Sequence, residues 1–263
     1  MAQYAGFAIP MVLSPILVES VGVQKMLFAY SVIAVISMLA VLIFIREKPA
    51  VPPPGPAYER DDFSRKAITS LFKNHGYVLC LICAFISIGI FNTILTLIES
   101  ILKGRGITPA EAGIIGAAFV VAGVIGAIVL PIFSDKAGVR IRFLLAAVSL
   151  LVPLYLGLTF VESFIVLTVI AAIAGFSIMG VAPILFQHSS EVAYPAQEGT
   201  SLGMILLMGQ ISGALFVLLF EAISGASGSV TAPMIGIVIL TAIEIPIVMR
   251  MKESKLVDQR KQA

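Results

Sequence analysis

Residues Ile114–Phe133 read IIGAAFVVAGVIGAIVLPIF, twenty residues without Lys, Arg, Asp or Glu, and the run breaks off at Ser134–Asp135–Lys136. As a helix such a run is about 30 Å long, the thickness of a bilayer's hydrocarbon core. Val78–Ile90 and Leu202–Phe220 are equally free of charge. Of the 263 residues, 59% are hydrophobic and 12% charged, whereas a soluble domain carries about 25% charged residues. Mean hydropathy is +1.06. These values exclude an ordinary soluble protein and predict an all-α membrane protein, a polytopic helical bundle of about eight transmembrane helices at roughly 20 residues per span.

Charge, Gly and Pro mark the ends of the spans. The expected spans are Ala5–Val18, Met26–Ile45, Tyr77–Ile98, Ala112–Phe133, Phe143–Phe160, Phe164–Phe186, Leu202–Phe220 and Met234–Met249. Between the second and third lie Pro49, Pro52, Pro53, Pro54 and Pro56, a stretch too polyproline-like for a helix. Asp61 and Asp62 can then cap a short helix with Phe63, Ala67, Leu71 and Phe72 on one face, expected to lie on the membrane surface.

Basic residues set the expected orientation. With both termini cytoplasmic, all but Lys25, Lys103 and Arg105 of the 17 Lys and Arg residues fall on the inside, a strong positive-inside bias. The expected location is an integral, multi-pass protein of the plasma membrane. Met1–Ala2–Gln3 lacks the basic start of a secretory signal, so the first helix is expected to be retained.

Composition limits the chemistry. A net charge of +2 without a clustered basic surface gives no footprint for nucleic acid. Cys80 and Cys83 form a C-x-x-C inside an apolar run, where they read as packing residues rather than a redox pair. His75 and His188 are far apart in sequence and lack neighbours at metal spacing, so neither a metal nor a cofactor is expected. There is no G-x-S-x-G and no P-loop, and no enzymatic activity is expected.

A basic linker followed by six spans resembles the centre and second half of a major facilitator superfamily transporter. The stretch Asp135–Lys136–Ala137–Gly138–Val139–Arg140–Ile141–Arg142 is similar to that superfamily's G-x-x-x-D-[RK]-x-G-R-[RK] pattern, with Pro131 in place of the leading Gly. Asp135 can accept hydrogen bonds from helix N-termini and pair with Arg140 or Arg142, so these residues and Lys136 are expected to form a cytoplasmic latch. A narrower likeness is carried by Glu191–Val192–Ala193–Tyr194–Pro195–Ala196–Gln197–Glu198–Gly199–Thr200–Ser201, continuing to Gly209–Gln210, and by Asn92–Thr93 to Thr96–Leu97. Both stretches resemble the feline leukemia virus subgroup C receptor family, whose animal members are associated with heme, choline and ethanolamine. Glu191 and Glu198 join the expected latch on this resemblance. Asn92 stands where animal members have an aromatic residue, and the chain has no Trp for a quaternary-ammonium cage. The resemblance therefore implies the fold and a transporter role and leaves the substrate unassigned.

By this resemblance the chain divides into residues 1–47, the last two helices of an N-terminal half; 48–75, a cytoplasmic linker with the surface helix; 76–252, a complete six-helix half; and 253–263, a cytoplasmic tail. Four helices of the first half would come from an upstream continuation, another chain or a second copy. The expected partners are a small-molecule substrate and the lipid bilayer.

Polar residues inside the spans are few. Gln210, halfway along Leu202–Phe220, corresponds to a family glutamine that contacts substrate, and its amide needs a partner in ligand, water or a neighbouring helix. Asn92 and Thr96 are the other expected substrate contacts, Thr93 being able to bond its own helix backbone. Glu244, six residues before Arg250, lies about 9 Å inside the last span. It is either a proton-coupling carboxylate or a residue that snorkels or pairs with a nearby base. Gly199-x-x-x-Gly203, Gly209-x-x-x-Gly213, Gly113, Gly116, Gly123 and Gly126 are expected at close helix approaches. The leading reading is a secondary transporter of a small organic solute working by alternating access. A non-transporting receptor or scaffold, or a half-transporter that needs a partner chain, is the alternative.

Overall fold

A computed structural model describes residues 13–14, 17–18, 20–44, 65–194, 196 and 198–254. Within them lie eight helices: α1 (Val23–Phe44), α2 (Arg65–Lys73), α3 (His75–Leu102), α4 (Pro109–Ala137), α5 (Ile141–Phe160), α6 (Phe164–Ala193), α7 (Glu198–Ser227) and α8 (Thr231–Met249). All but α2 are long and apolar enough to cross a membrane, which makes seven spans among the described residues. The protein is an integral, multi-pass membrane protein. Most of the expected first span, the proline-rich linker and the tail beyond residue 254 lie outside the described residues.

The chain divides into two compact units near residue 60. In the smaller, the Tyr30 and Ser14 hydroxyls are 2.9 Å apart, while no residue of α1 is buried.

The larger unit contains α2–α8. Its most extensive contacts are α4 with α6 and α3 with α7, followed by α5 with α8 and with α6. Exchanging α3, α4 and α5 for α6, α7 and α8 maps α4–α6 onto α7–α3, α5–α6 onto α8–α3, and α3–α4 onto α6–α7, all of which are in contact. Two three-helix repeats therefore pack on one another, the internal symmetry common in secondary transporters.

Glycine makes the two main crossings close. A Cβ on Gly175 would overlap the Phe119 carbonyl of α4, and one on Gly126 the Phe176 carbonyl of α6, so backbone meets backbone there. At the α3–α7 crossing Gly209 receives Ile88, Gly213 receives Asn92, and Gly89 receives Phe216 and Ser212. Gly113, Gly199 and Gly203 behave otherwise: nothing lies within 4 Å of a Cβ at these positions, so they are not close-approach glycines within this unit.

The helices run past the apolar segments that seed them. Thus α6 continues through Gln187 to Ala193, turning what reads as a loop into a polar helical end. At the turn after α4, Gly138 takes the left-handed conformation with φ 60° and its N–H bonds Ser134 and Asp135 carbonyls, the C-cap that only glycine adopts without strain. At the other end Thr108 and Glu111 form a capping box that starts α4. Arg105 donates to the Leu158 and Val161 carbonyls at the end of α5, at 2.5 and 3.5 Å. Burial holds that guanidinium's pKa below its ordinary value, opposed by Glu162.

Helix α2 packs on α3. Leu71 is fully buried in a core with Tyr77, Cys80 and Cys83, whereas Phe72, expected on the same face, is half exposed. Both cysteines are free and buried.

Candidate functional site

Three groups of polar residues stand out in the larger unit, at the α3–α7 crossing, between α3 and α8, and at the end where α4 turns into α5.

The first begins with Gln210. Gly199, Gly203, Leu206 and Gln210 recur at i, i+4, i+7 and i+11, so they share one face of α7, and all four are exposed. Asn92 lies against Gly213, three residues from Gln210, which is about 4.5 Å along the axis. Thr96, one turn further along α3, is exposed. Thr93 is buried and donates 2.8 Å to the Gly89 carbonyl, satisfying itself on its own helix. Gln210 and Thr96 are thus exposed and Asn92 is half-buried, two amides and a hydroxyl on the apolar helices α3 and α7. A primary amide in hydrocarbon costs several kcal/mol, whereas the exposed face of α8 at Ile235, Ile239 and Ile243 is wholly aliphatic.

The second group centres on Glu244, which is 1% exposed. It neither snorkels nor pairs with a base: among the described residues it has no ion pair, and Ser87 of α3 donates to its Oε1 at 2.7 Å. Tyr155 of α5 lies within electrostatic range of it, and the Tyr155 hydroxyl is fully buried without a hydrogen-bond partner.

The third group joins four helix ends. Arg140 is 4% exposed and forks onto Glu191, Nε to Oε2 at 3.1 Å and NH2 to Oε1 at 2.7 Å. Its NH1 also reaches Asp135 at 3.5 Å, but the Asp135 side chain is 54% exposed. The expected role of Asp135 at a helix N-terminus belongs to another residue: Glu253 Oε1 accepts from the Arg140 and Ile141 N–H groups, each at 2.9 Å, and caps α5. Lys136, Arg142 and Glu198 are exposed and form no ion pair among the described residues; Glu198 opens the first turn of α7. Asn74 caps α3 and donates to the Val192 carbonyl at 2.8 Å, and Tyr77 donates to the Ser201 carbonyl at 2.7 Å, so α3, α6 and α7 are fastened together at this end.

Sequence reasoning missed Ser87, Tyr155 and Glu253. Ser87 and Tyr155 carried a usable signal, since each is a polar residue inside an apolar span. Glu253 carried none, because its role depends on where the chain folds back after α8. The described residues contain no cluster of His, Cys, Asp and Glu that could hold a metal ion.

Comparison with known proteins gives the family. The family model described as Major Facilitator Superfamily matches residues 1–217. Solute carrier family 49 member A3 of Danio rerio is 31% identical over 242 residues, covering 88% of this chain and 50% of the relative. The choline/ethanolamine transporter FLVCR1 of Felis catus is 30% identical over 244 residues, covering 81% of this chain and 41% of the relative. An uncharacterized protein of Archaeoglobus fulgidus is 24% identical over 187 residues, 70% of this chain and 86% of its own length. The chain spans about half the length, or less, of these animal relatives.

Proposed function

Since the chain belongs to the major facilitator superfamily, we propose that it carries a small organic solute across the membrane by alternating access, with the α3–α7 face as one wall of the substrate cavity. The observation that carries this reading is the open mid-helix amide of Gln210 beside Asn92, which needs a polar partner opposite it. A second half packs against this wall and supplies the remaining contacts. Gln210, Asn92 and Thr96 donate and accept hydrogen bonds to the solute, and the open positions at Gly199 and Gly203 leave it room. Without Trp or charge on this wall, the preferred solute is neutral or cationic and partly apolar. Two relatives are named choline/ethanolamine transporters, which makes small amino alcohols the first candidates.

Glu244 is the proton-binding residue in this scheme. Among the described residues its hydrogen-bond partner on another helix is Ser87, five residues before Asn92 on α3, so a proton gained or lost there is felt by the helix that contacts the solute. Arg140, Glu191 and Asp135 form the latch at the basic end, which faces the cytoplasm, with Lys136, Arg142 and Glu198 at its rim. Both termini lie on that side, and the membrane is the plasma membrane.

Uptake into proteoliposomes tests the proposal, with labelled ethanolamine and choline as the first solutes. Saturable uptake that falls in Gln210→Ala at equal amounts of folded protein supports it. Tight binding of a partner protein, with no movement of any candidate solute, would favour the receptor or scaffold reading.

A further inference from the structure

Among the described residues two tyrosines are fully buried, Tyr77 and Tyr155. The smaller hydroxyls of Thr93, Thr159, Ser177, Ser212 and Thr241, all buried, each donate to a carbonyl three or four residues back on their own helix. A tyrosine hydroxyl sits at the far end of a rigid ring, beyond reach of its own turn, and needs a partner on another element. Tyr77 has one in the Ser201 carbonyl, at 2.7 Å. The Tyr155 hydroxyl is buried without one. Buried polar groups are nearly always satisfied, so this unspent donor calls for an acceptor.

Glu244 is the charged group within its electrostatic range. Helices α5 and α8 pack extensively, and Tyr155 and Glu244 lie on the faces they bury. Glu253, just past the end of α8, caps the start of α5, so the two helices run antiparallel from a shared end, and Tyr155 is farther from that end than Glu244. Side chains lean toward the N-terminus of their own helix. The phenol therefore leans back toward the shared end and the carboxyl away from it, each toward the other.

Glu244 is short of donors in its turn. A carboxylate has about four acceptor sites, and this one receives a single hydrogen bond from another helix and has no basic partner among the described residues. Besides Ser87, α3 brings the Cys83 thiol into electrostatic range, a weak donor. Helix α7, which also touches α8, has no titratable side chain between Glu198 and Glu221, and α8 has none besides Glu244. Tyr155 is the unspent strong donor facing the site.

We propose that Tyr155 is the positioning residue for proton exchange at Glu244: as Glu244 loses its proton to water, the carboxylate takes a second hydrogen bond from the Tyr155 hydroxyl, beside the one from Ser87. Ionised, Glu244 ties α8 to both α3 and α5; protonated, it holds α3 alone. The proposal rests on Glu244 as the proton-binding residue, and its test reads that proton directly rather than through uptake.

The measurement is infrared difference spectroscopy of the purified full chain in phosphatidylcholine nanodiscs, stepped across pH, with the Glu244 carboxyl band assigned by its loss in Glu244→Gln. Tyr155→Phe keeps the ring and its packing and removes only the hydroxyl. A hydroxyl that merely occupies the core predicts an unchanged titration midpoint and equal or higher stability in this variant. Partnership with Glu244 predicts a midpoint about one pH unit higher, because the carboxylate loses a donor and the acid form does not. Should Tyr155→Phe not fold, wild-type protein labelled with ring-deuterated tyrosine decides: an isotope-shifted tyrosine band is expected to change in step with Glu244, and that change to be absent from Glu244→Gln. An unmoved midpoint, or no such tyrosine change, overturns the proposal and leaves Glu244 standing as a proton site. A Glu244 carboxyl that never titrates overturns both.

Discussion

Ser87 Oγ donates a 2.7 Å hydrogen bond to Glu244 Oε1, joining α3 to α8 through a carboxylate with no basic partner among the described residues. Because α3 also carries Asn92, this bond connects an ionisable group to the proposed substrate wall.

Glu244→Gln keeps an oxygen for Ser87 and nearly the same volume, but it cannot exchange a proton. Folded protein is expected near the wild-type amount, while the pH dependence of uptake flattens. Ser87→Ala, which removes the donor, should cost about 1–2 kcal/mol in thermal stability. A wild-type pH response in Glu244→Gln would remove Glu244 from the coupling scheme.

The latch is unequal. Arg140–Glu191 is a buried fork, whereas Arg140–Asp135 is longer and more than half exposed on the acid's side. Breaking the first strands a buried charge at a cost of about 3 kcal/mol, while an exposed pair is worth about 0–1 kcal/mol after solvent screening. Double-mutant cycles read by thermal melting should give the larger coupling for Arg140 with Glu191. Arg140→Lys should behave more like the deletion than a conservative change, since Lys cannot fork.

Glycines that read alike in sequence should separate by measurement. Gly175→Ala drives a methyl into the Phe119 carbonyl, and the expected loss is about 1–3 kcal/mol or failure to fold. Gly203→Ala meets nothing within 4 Å and should leave stability unchanged or slightly raised through helix propensity. Equal effects at both sites would contradict the assigned crossings.

Gln210→Ala removes an exposed amide with no hydrogen bond to another helix among the described residues, so uptake should fall several-fold while the yield of folded protein stays constant. Parallel loss of both would assign Gln210 to packing.

These cases show how far the sequence could be read. Charge-free runs such as Ile114–Phe133 specify the spans because the bilayer leaves a long apolar segment few alternatives to a helix. Their ends were harder to read, since α6 carries His188 and Glu191 on a polar last turn that hydropathy assigns to a loop. Glycine spacing showed where helices could approach, but Gly199 and Gly203 show that spacing alone does not choose the partner. The capping of α5 was invisible because Glu253 comes from more than a hundred residues away, and an N-terminus without its own side-chain cap reveals nothing about a distant donor of oxygen. The depth of Glu244 was legible, its Ser87 partner was not.

The most direct test of the central claim, that the α3–α7 face borders an aqueous solute cavity, is thiol accessibility in the membrane-embedded full chain. Native Cys80 and Cys83 are buried and provide a low background. The account predicts that Gln210→Cys reacts with a membrane-impermeant, water-soluble thiol reagent at least about tenfold faster than Ile239→Cys on the aliphatic face of α8. Equal, negligible labelling at both positions from either side of the membrane would contradict it.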